Sequence, residues 1–328
     1  MKQTYLIFIF SFFLLFACSG PVEKEKFISQ ESEEEKLKIA VIPKGTIQFF
    51  WKSVHAGALK AGQNLGVEII WQGPQKEVYE EQSSIMNEMI GKKINGIVLA
   101  PVDYWAMAEP INNAAAAGIP IVIIDSQVDS DEYSSIVATD NLSAGNICAK
   151  KFATLLNGKK KVIIMRFLEN SASTTQRELG FIEGIKKYAP EVEIISSDRY
   201  SGGTLRSATS VAEELLKKYP DVEGIFCSNE IATFGMLTAL QKTGKAGKVI
   251  FVGFDYNPEL KEALKKDEIQ VLAVQDPFKI GYLGVETMVK ILKEEKYKKR
   301  VDTGINFITK ENLNDPIIQA LLDPKAEE

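Results

Sequence analysis

Cys18 is the residue whose neighbours say most about chemistry. It follows Leu15, Phe16 and Ala17 at the end of an apolar run that begins at Tyr5, with Lys2 ahead of it. A small residue directly before a cysteine at the end of such a run is a lipobox pattern, in which the thiol receives a diacylglycerol and the chain is cut in front of it. The run is shorter than the roughly 20 apolar residues of a bilayer-spanning helix and suits the core of a secretory signal. We expect export, acylation of Cys18, and a body tied to a membrane outside the cytoplasm. Left uncleaved, the same segment would act as an anchor, with the same consequence for the body.

Other reactive side chains are scarce. The chain holds one histidine and three cysteines. His55 is expected on a helix face, in a structural or solvent-facing role. Cys148 and Cys227 fall in an expected helix and strand end, as small buried apolar groups, and nothing in their spacing brings them together as a disulfide. There is no zinc cluster. Gly244-Lys245-Ala246-Gly247-Lys248 lacks the spacing and the hydroxyl residue of a phosphate loop. No G-x-G-x-x-G follows the first strand, and no nucleophile elbow occurs. Asp129-Ser130-Asp131 lacks the glycine and closing glutamate of a calcium loop. Acid–base catalysis would rest on carboxylates, and nothing singles out a pair. These residues point to binding without a metal or cofactor, not to an enzyme. The formal net charge of −5 argues against nucleic acid and against a polybasic membrane patch.

The elements that must position such a site are legible. Residues 19–36 are polar and acidic and read as a flexible tether. From Leu37, apolar runs alternate with helical-period segments. Strands are expected at Leu37–Ile42, Val67–Trp71, Gly96–Ala100 and Ile121–Asp125, with helices near Lys52–Asn64, Gln75–Gly91 and Trp105–Ala117. The rhythm restarts with strands at Lys161–Arg166, Val192–Ser196, Gly224–Ser228 and Val249–Gly253, separated by helices at Ser173–Tyr188, Thr204–Tyr219 and Ile231–Thr243. A helix near Pro258–Lys266, a strand near Ile269–Val274, a helix near Phe278–Lys293 and a final strand at Thr303–Ile308 follow. Runs that are apolar on both faces mark parallel sheets covered by helices on each side. The length suits two such α/β domains, joined by the short, strand-like stretch Ser135–Asn141. Ligands of open α/β sheets sit beyond the carboxyl ends of the strands.

Several ordered landmarks carry a resemblance. Gln48-Phe49-Phe50-Trp51 follows the first strand. Gly118-Ile119-Pro120 leads into Ile124-Asp125-Ser126. Thr139-Asp140-Asn141, Arg177 with Gly180-Phe181, Asn229-Glu230, Val252-Gly253-Phe254-Asp255 and Gln275 come next in order. From about Leu37 to Asn312 the chain resembles the periplasmic sugar-binding proteins of ABC transporters, of the ribose-binding type (type I periplasmic binding protein superfamily). The resemblance implies two doubly wound parallel-sheet lobes joined by a three-crossing hinge. Residues 37–140 with 277–304 would form the first lobe, and 141–276 with 305–328 the second, behind a signal peptide at 1–17 and a lipid-anchored tether at 18–36.

The resemblance also implies a ligand site. Phe50 and Trp51 match an aromatic pair that sandwiches a sugar ring, whose C–H faces are apolar. Asp125 and Asp255 would accept hydrogen bonds from hydroxyls on opposite sides of the cleft, or cap helices instead. Asn229 suits a polyol and equally suits a cap for the following helix. Gln275 sits at a hinge, and Gln48 takes the place of a polar contact. Ser126 and Thr175 stand where ribose binders have arginines, which makes ribose itself doubtful. Lys44 and Arg166, at the ends of the first strand of each lobe, would compensate or remain solvated charges. Arg177 reads as structural, and Asp140-Asn141 as hinge and helix cap. The implied partners are a small sugar or polyol and an ABC permease, for a monomer in the periplasm or at the cell surface. The alternative is a receptor presenting a sugar or an autoinducer-2-like molecule to a chemoreceptor or histidine kinase. A repressor of the same fold would need a helix-turn-helix where the signal segment stands.

Overall fold

The computed structural model describes residue 1, residues 36–92 and residues 94–323. Cys18, the signal segment, the tether and the last five residues assigned to the second lobe lie outside the described residues.

In the first lobe, β1 (Lys38–Ile42), β2 (Glu68–Trp71), β3 (Gly96–Leu99), β4 (Ile121–Ile124) and β5 (Ser135–Ala138) alternate with α1 (Phe49–Leu65), α2 (Tyr79–Gly91) and α3 (Ala108–Ala116). Joined by β11 (Arg300–Asp302), these strands form a parallel sheet in the order β11-β5-β4-β3-β1-β2. Side chains alternate across it. Ile39 and Val41 join the core under α1. Ala40 and Ile42 join the core on the opposite face, with Met86 and Ile111 of α2 and α3.

The second lobe repeats the plan. Its strands are β6 (Lys161–Arg166), β7 (Glu193–Tyr200), β8 (Gly224–Cys227), β9 (Ile250–Phe254) and β10 (Val271–Val274). Its helices are α4 (Asn141–Leu156), α5 (Ala172–Tyr188), α6 (Leu205–Lys218), α7 (Glu230–Lys242) and α8 (Pro258–Lys265). The sheet order is β12-β10-β9-β8-β6-β7, in which only the edge strand β12 (Asn306–Ile308) runs antiparallel. A short closing helix, α10 (Pro316–Leu322), packs Ile318 and Leu322 onto this lobe's core.

The chain passes from one sheet to the other three times: between β5 and α4, between β10 and α9 (Pro277–Leu292), and between β11 and β12. Helix α9 follows a second-lobe strand yet packs on α1 in the first lobe. That crossing is tight. A Cβ at Gly57 would stand 1.9 Å from the Phe278 carbonyl oxygen, and one at Gly281 2.0 Å from that of Val54. Any side chain at either glycine would push the helices apart. Helices α4 and α5 meet in the same way through Gly145 and Gly180.

Of the expected strand at Thr303–Ile308 only Asn306–Ile308 is extended as a strand, β12, while β11 ends just ahead of it at Asp302 in the other sheet. Gly304 between them has φ +78°, in the left-handed region, and breaks the extended run. Helix α3 begins later than expected because the Asp103 carboxylate accepts from the amides of Trp105 and Ala106 and shapes a turn there. Among the described residues no helix is long and apolar enough to cross a membrane.

Candidate functional site

In both sheets the strand order changes direction beside the first strand of the lobe, β1 in one and β6 in the other. The loops there diverge and leave a crevice at the carboxyl ends of the strands. The two crevices face each other and enclose about 360 Å³ of empty space, mouth included.

The lobes touch directly around this space. Lys44 and Ser126 of the first lobe hydrogen-bond Ser173 of the second at 3.1 and 2.8 Å. Gln176 donates to Gln127 at 2.6 Å, and Asn170 to Asp103 at 2.8 Å. The Glu230 carboxylate, at the start of α7, accepts from the amides of Phe49 and Phe50 at 3.4 and 3.2 Å. A second-lobe acid thus sits on the amino terminus of a first-lobe helix, where the helix dipole favours negative charge. Burial pushes the Glu230 carboxyl up to about 7, with the nearby Asp255 charge adding to the effect.

Asp125 and Asp255 each follow the last residue of a buried strand and have φ of 63° and 65°. Aspartate tolerates this left-handed conformation better than most residues. Strain of this kind concentrates at ligand clamps. The Asp125 carboxylate pairs with the Lys44 ammonium at 2.7 Å, both nearly buried. Asp255 accepts from the Gln275 amide at 2.9 Å and lies 3.5 Å from the Arg177 guanidinium. Burial raises the Asp255 carboxyl above its ordinary range, against the pull of Arg177.

Arg177 is more than the structural tie expected for it. It is 2 % exposed, lines the cavity and stacks over Phe254, with its guanidinium carbon 3.9 Å from the ring centre. It also donates to Asn141 at 2.8 Å and to the Ser228 carbonyl at 3.0 Å. Asn141 in turn donates to the Asp125 carbonyl at 3.4 Å. A single chain of contacts therefore runs from one strand-end aspartate to the other. Asp140 beside it caps α4 by accepting from the Ser143 amide.

Of the residues marked in the sequence, Lys44, Gln48, Phe50, Trp51, Asp125, Asn229, Asp255 and Gln275 line the cavity. Phe50 and Trp51 do so while also packing in the first-lobe core. Their rings stand at 90° to each other, so the two cannot together flank both faces of one sugar ring. Phe167 adds an aromatic surface from the second lobe. The Asn229 oxygen caps α7 through the Ala232 amide, and the residue also lines the cavity. Among the described residues two acceptors, the Gln275 Oε1 and Gln48 Oε1 atoms, have no partner, and neither does the Ser171 hydroxyl.

Ser126 and Arg166 are not among the lining residues. Ser126 is 1 % exposed, behind Lys44, from which it accepts at 2.6 Å. Arg166 is turned away by the fully buried Glu178, which holds its Nε at 2.5 Å, while its guanidinium carbon lies over the Tyr200 ring. Of the two cations expected to compensate for the missing arginines, Lys44 lines the cavity and Arg166 does not. Sequence reasoning also missed Glu77, Phe167, Ser171, Ser173, Thr174 and Glu230, all of which line the cavity. Glu230 was within reach, because Asn229-Glu230 opens a helix directly after a buried strand. Glu77 sits in the loop before α2 and carries no local signal.

Elsewhere, Cys148 and Cys227 are separate buried thiols, and burial pushes Cys148 up to about 12. His55 stacks on Trp71, with ring centres 4.4 Å apart.

Comparison with known proteins agrees with this architecture. Residues 39–296 match the model of the periplasmic binding protein domain. The ribose import binding protein RbsB of Bacillus subtilis (strain 168) is 26% identical over 310 residues, covering 94% of this chain and 99% of that protein. A carbohydrate transporter solute-binding protein from Agrobacterium radiobacter, solved with D-arabinose, superposes with a TM-score of 0.85 at 34% identity, covering 88% of this chain and 99% of the other. An ABC transporter solute-binding protein from Agrobacterium vitis, solved with D-fucose, gives 0.83 at 33% identity, covering 87% and 99%. With two helix-covered parallel sheets, three crossings and a crevice shared between lobes, the chain belongs to the periplasmic binding protein family, type I in fold and of the ribose-binding type.

Proposed function

We propose that this protein is an extracytoplasmic lipoprotein that captures a small sugar or polyol between its lobes and delivers it to an ABC permease. The observation that carries this reading is the composition of the cavity wall. Carboxylates from both lobes converge on it, together with amide oxygens and a serine hydroxyl that find no partner among the described residues. Unpaired buried acceptors are costly, and a ring of hydroxyls is a ligand that satisfies them. Aromatic rings from both lobes suit its apolar C–H faces. The solved relatives bound to D-arabinose and D-fucose support the same ligand class. Gln275, Asp255 and Arg177 would hold the ligand from the hinge and second lobe, and Asp125, Phe50 and Trp51 from the first.

Lys44 would set the shape of the pocket instead of contacting ligand, since its ammonium already meets Asp125, Ser126 and Ser173. Acylation at Cys18 would keep the body beside its permease. The test is calorimetry with a panel of pentoses, hexoses and cyclitols. Saturable binding of one member, with no turnover, is the expected result, and a flat response to all of them would refute the reading.

A further inference from the structure

The ionic partners around the cavity do not balance, and the imbalance falls on one residue. Four of its lining residues are acids, Glu77, Asp125, Glu230 and Asp255, against two cations, Lys44 and Arg177. Three of the acids are accounted for. Asp125 has Lys44 at 2.7 Å, and Asp255 has Arg177 at 3.5 Å. Glu230 has the amino terminus of α1. Glu77 is left over. Its Oε1 accepts from two neutral donors, the Trp51 indole at 3.3 Å and the Gln48 amide at 3.1 Å. Among the described residues no donor reaches its Oε2 and no cation contacts it.

Lys44 cannot fill the gap. An ammonium has three donors, and these go to Asp125, Ser126 and Ser173. Burial raises the Glu77 carboxyl against the pull of the Lys44 charge and the Trp51 hydrogen bond, and the Asp125 and Asp255 charges add a smaller push in the same direction as burial. A half-buried carboxylate beside other carboxylates is stabilised most by a ligand that brings positive charge and several donors. A hydroxyl supplies one donor and no charge. Gln275, 1 % exposed and with no partner for its Oε1 among the described residues, adds a further acceptor on the same cavity.

The geometry points to an amino sugar or aminocyclitol as the ligand, with its ammonium group on the Glu77 carboxylate. This inference rests on the sugar-binding reading and narrows its ligand class.

The experiment is calorimetry at pH 7 on the full chain. The panel contains hexosamines with the amine at C2, C3 or C6 and an inositol-derived amine, each beside its hydroxyl counterpart. We expect at least one amine to bind tenfold or more tightly than its counterpart. Glu77→Gln should cut that amine-to-hydroxyl ratio at least tenfold. Should Glu77→Gln fail to fold, the pH provides the same test on the unaltered protein, because the preference must collapse once the ligand amine is deprotonated. If hydroxyl sugars bind and every amine binds no better than its counterpart, this inference falls and the sugar-binding reading stands. If no member of either class binds, both fall.

Discussion

Asp125 and Asp255 occupy equivalent places in the two lobes. Each stands one residue past the end of a buried strand, each has a left-handed backbone, and the amide of each donates to a carbonyl of the neighbouring strand, Val137 or Ala273. The equivalence stops at the side chain. Asp125 is held by a lysine whose donors are already committed, whereas Asp255 is held by a hinge glutamine and a more distant guanidinium. Asp255 thus meets a partner at each oxygen, and its removal strands both a hinge amide and a buried guanidinium.

That difference sets the first prediction. Asp255→Ala should weaken binding of the cognate sugar by about 2–5 kcal/mol, or roughly 30- to 4000-fold. Calorimetry on the folded variant checks it. Binding within about threefold of the parent, well under the 1.4 kcal/mol of a tenfold change, would place the ligand elsewhere.

Arg177 joins α5, the first hinge crossing and the Ser228 carbonyl. Arg177→Met keeps the bulk and removes every donor, leaving Asp255 without its cation. Breaking a buried pair from one side costs about 3–5 kcal/mol. Urea denaturation should show a lower midpoint of that order, and an unchanged midpoint would contradict the role drawn for this residue.

Glu230 makes the folded protein sensitive to pH. Its carboxyl is raised from the ordinary glutamate range to about 7, so the folded state binds its proton more tightly than the unfolded chain does. The contribution to stability is then fully present below about pH 4.5 and is lost as the pH rises through about 7. Comparing thermal midpoints of the parent and Glu230→Gln across that window isolates the effect. The parent should lose more stability than the variant as the pH rises, and parallel curves would count against a desolvated Glu230.

Cys18→Ser should leave the protein unacylated. In a lipoprotein-competent host, we expect the variant to leave the membrane fraction or to accumulate unprocessed. Retention in membranes with cleavage at the same site would dispose of the lipobox reading.

Periodicity alone determined the two α/β halves. A strand buried on both faces needs an unbroken apolar run, so Ile39–Ile42 and Ile121–Ile124 announce themselves locally, and the aspartate after Ile124 marks where a strand meets a crevice. Whether neighbouring residues share a function is a matter of direction, which local pattern does not contain. Arg166 ends its strand as Lys44 nearly does, yet Glu178, twelve residues later on α5, turns it from the cavity. Glu77 carries no signal in its own segment and gains meaning only because Trp51 and Gln48 fold onto it from another element. Arg177 reads as an ordinary helical ion pair until the second crossing brings Asp255 and Gln275 beside it. Local sequence sets the elements because they are stabilised by contacts a few residues apart. The site depends on contacts between residues tens to hundreds of positions apart, which only the closed arrangement of both lobes brings together.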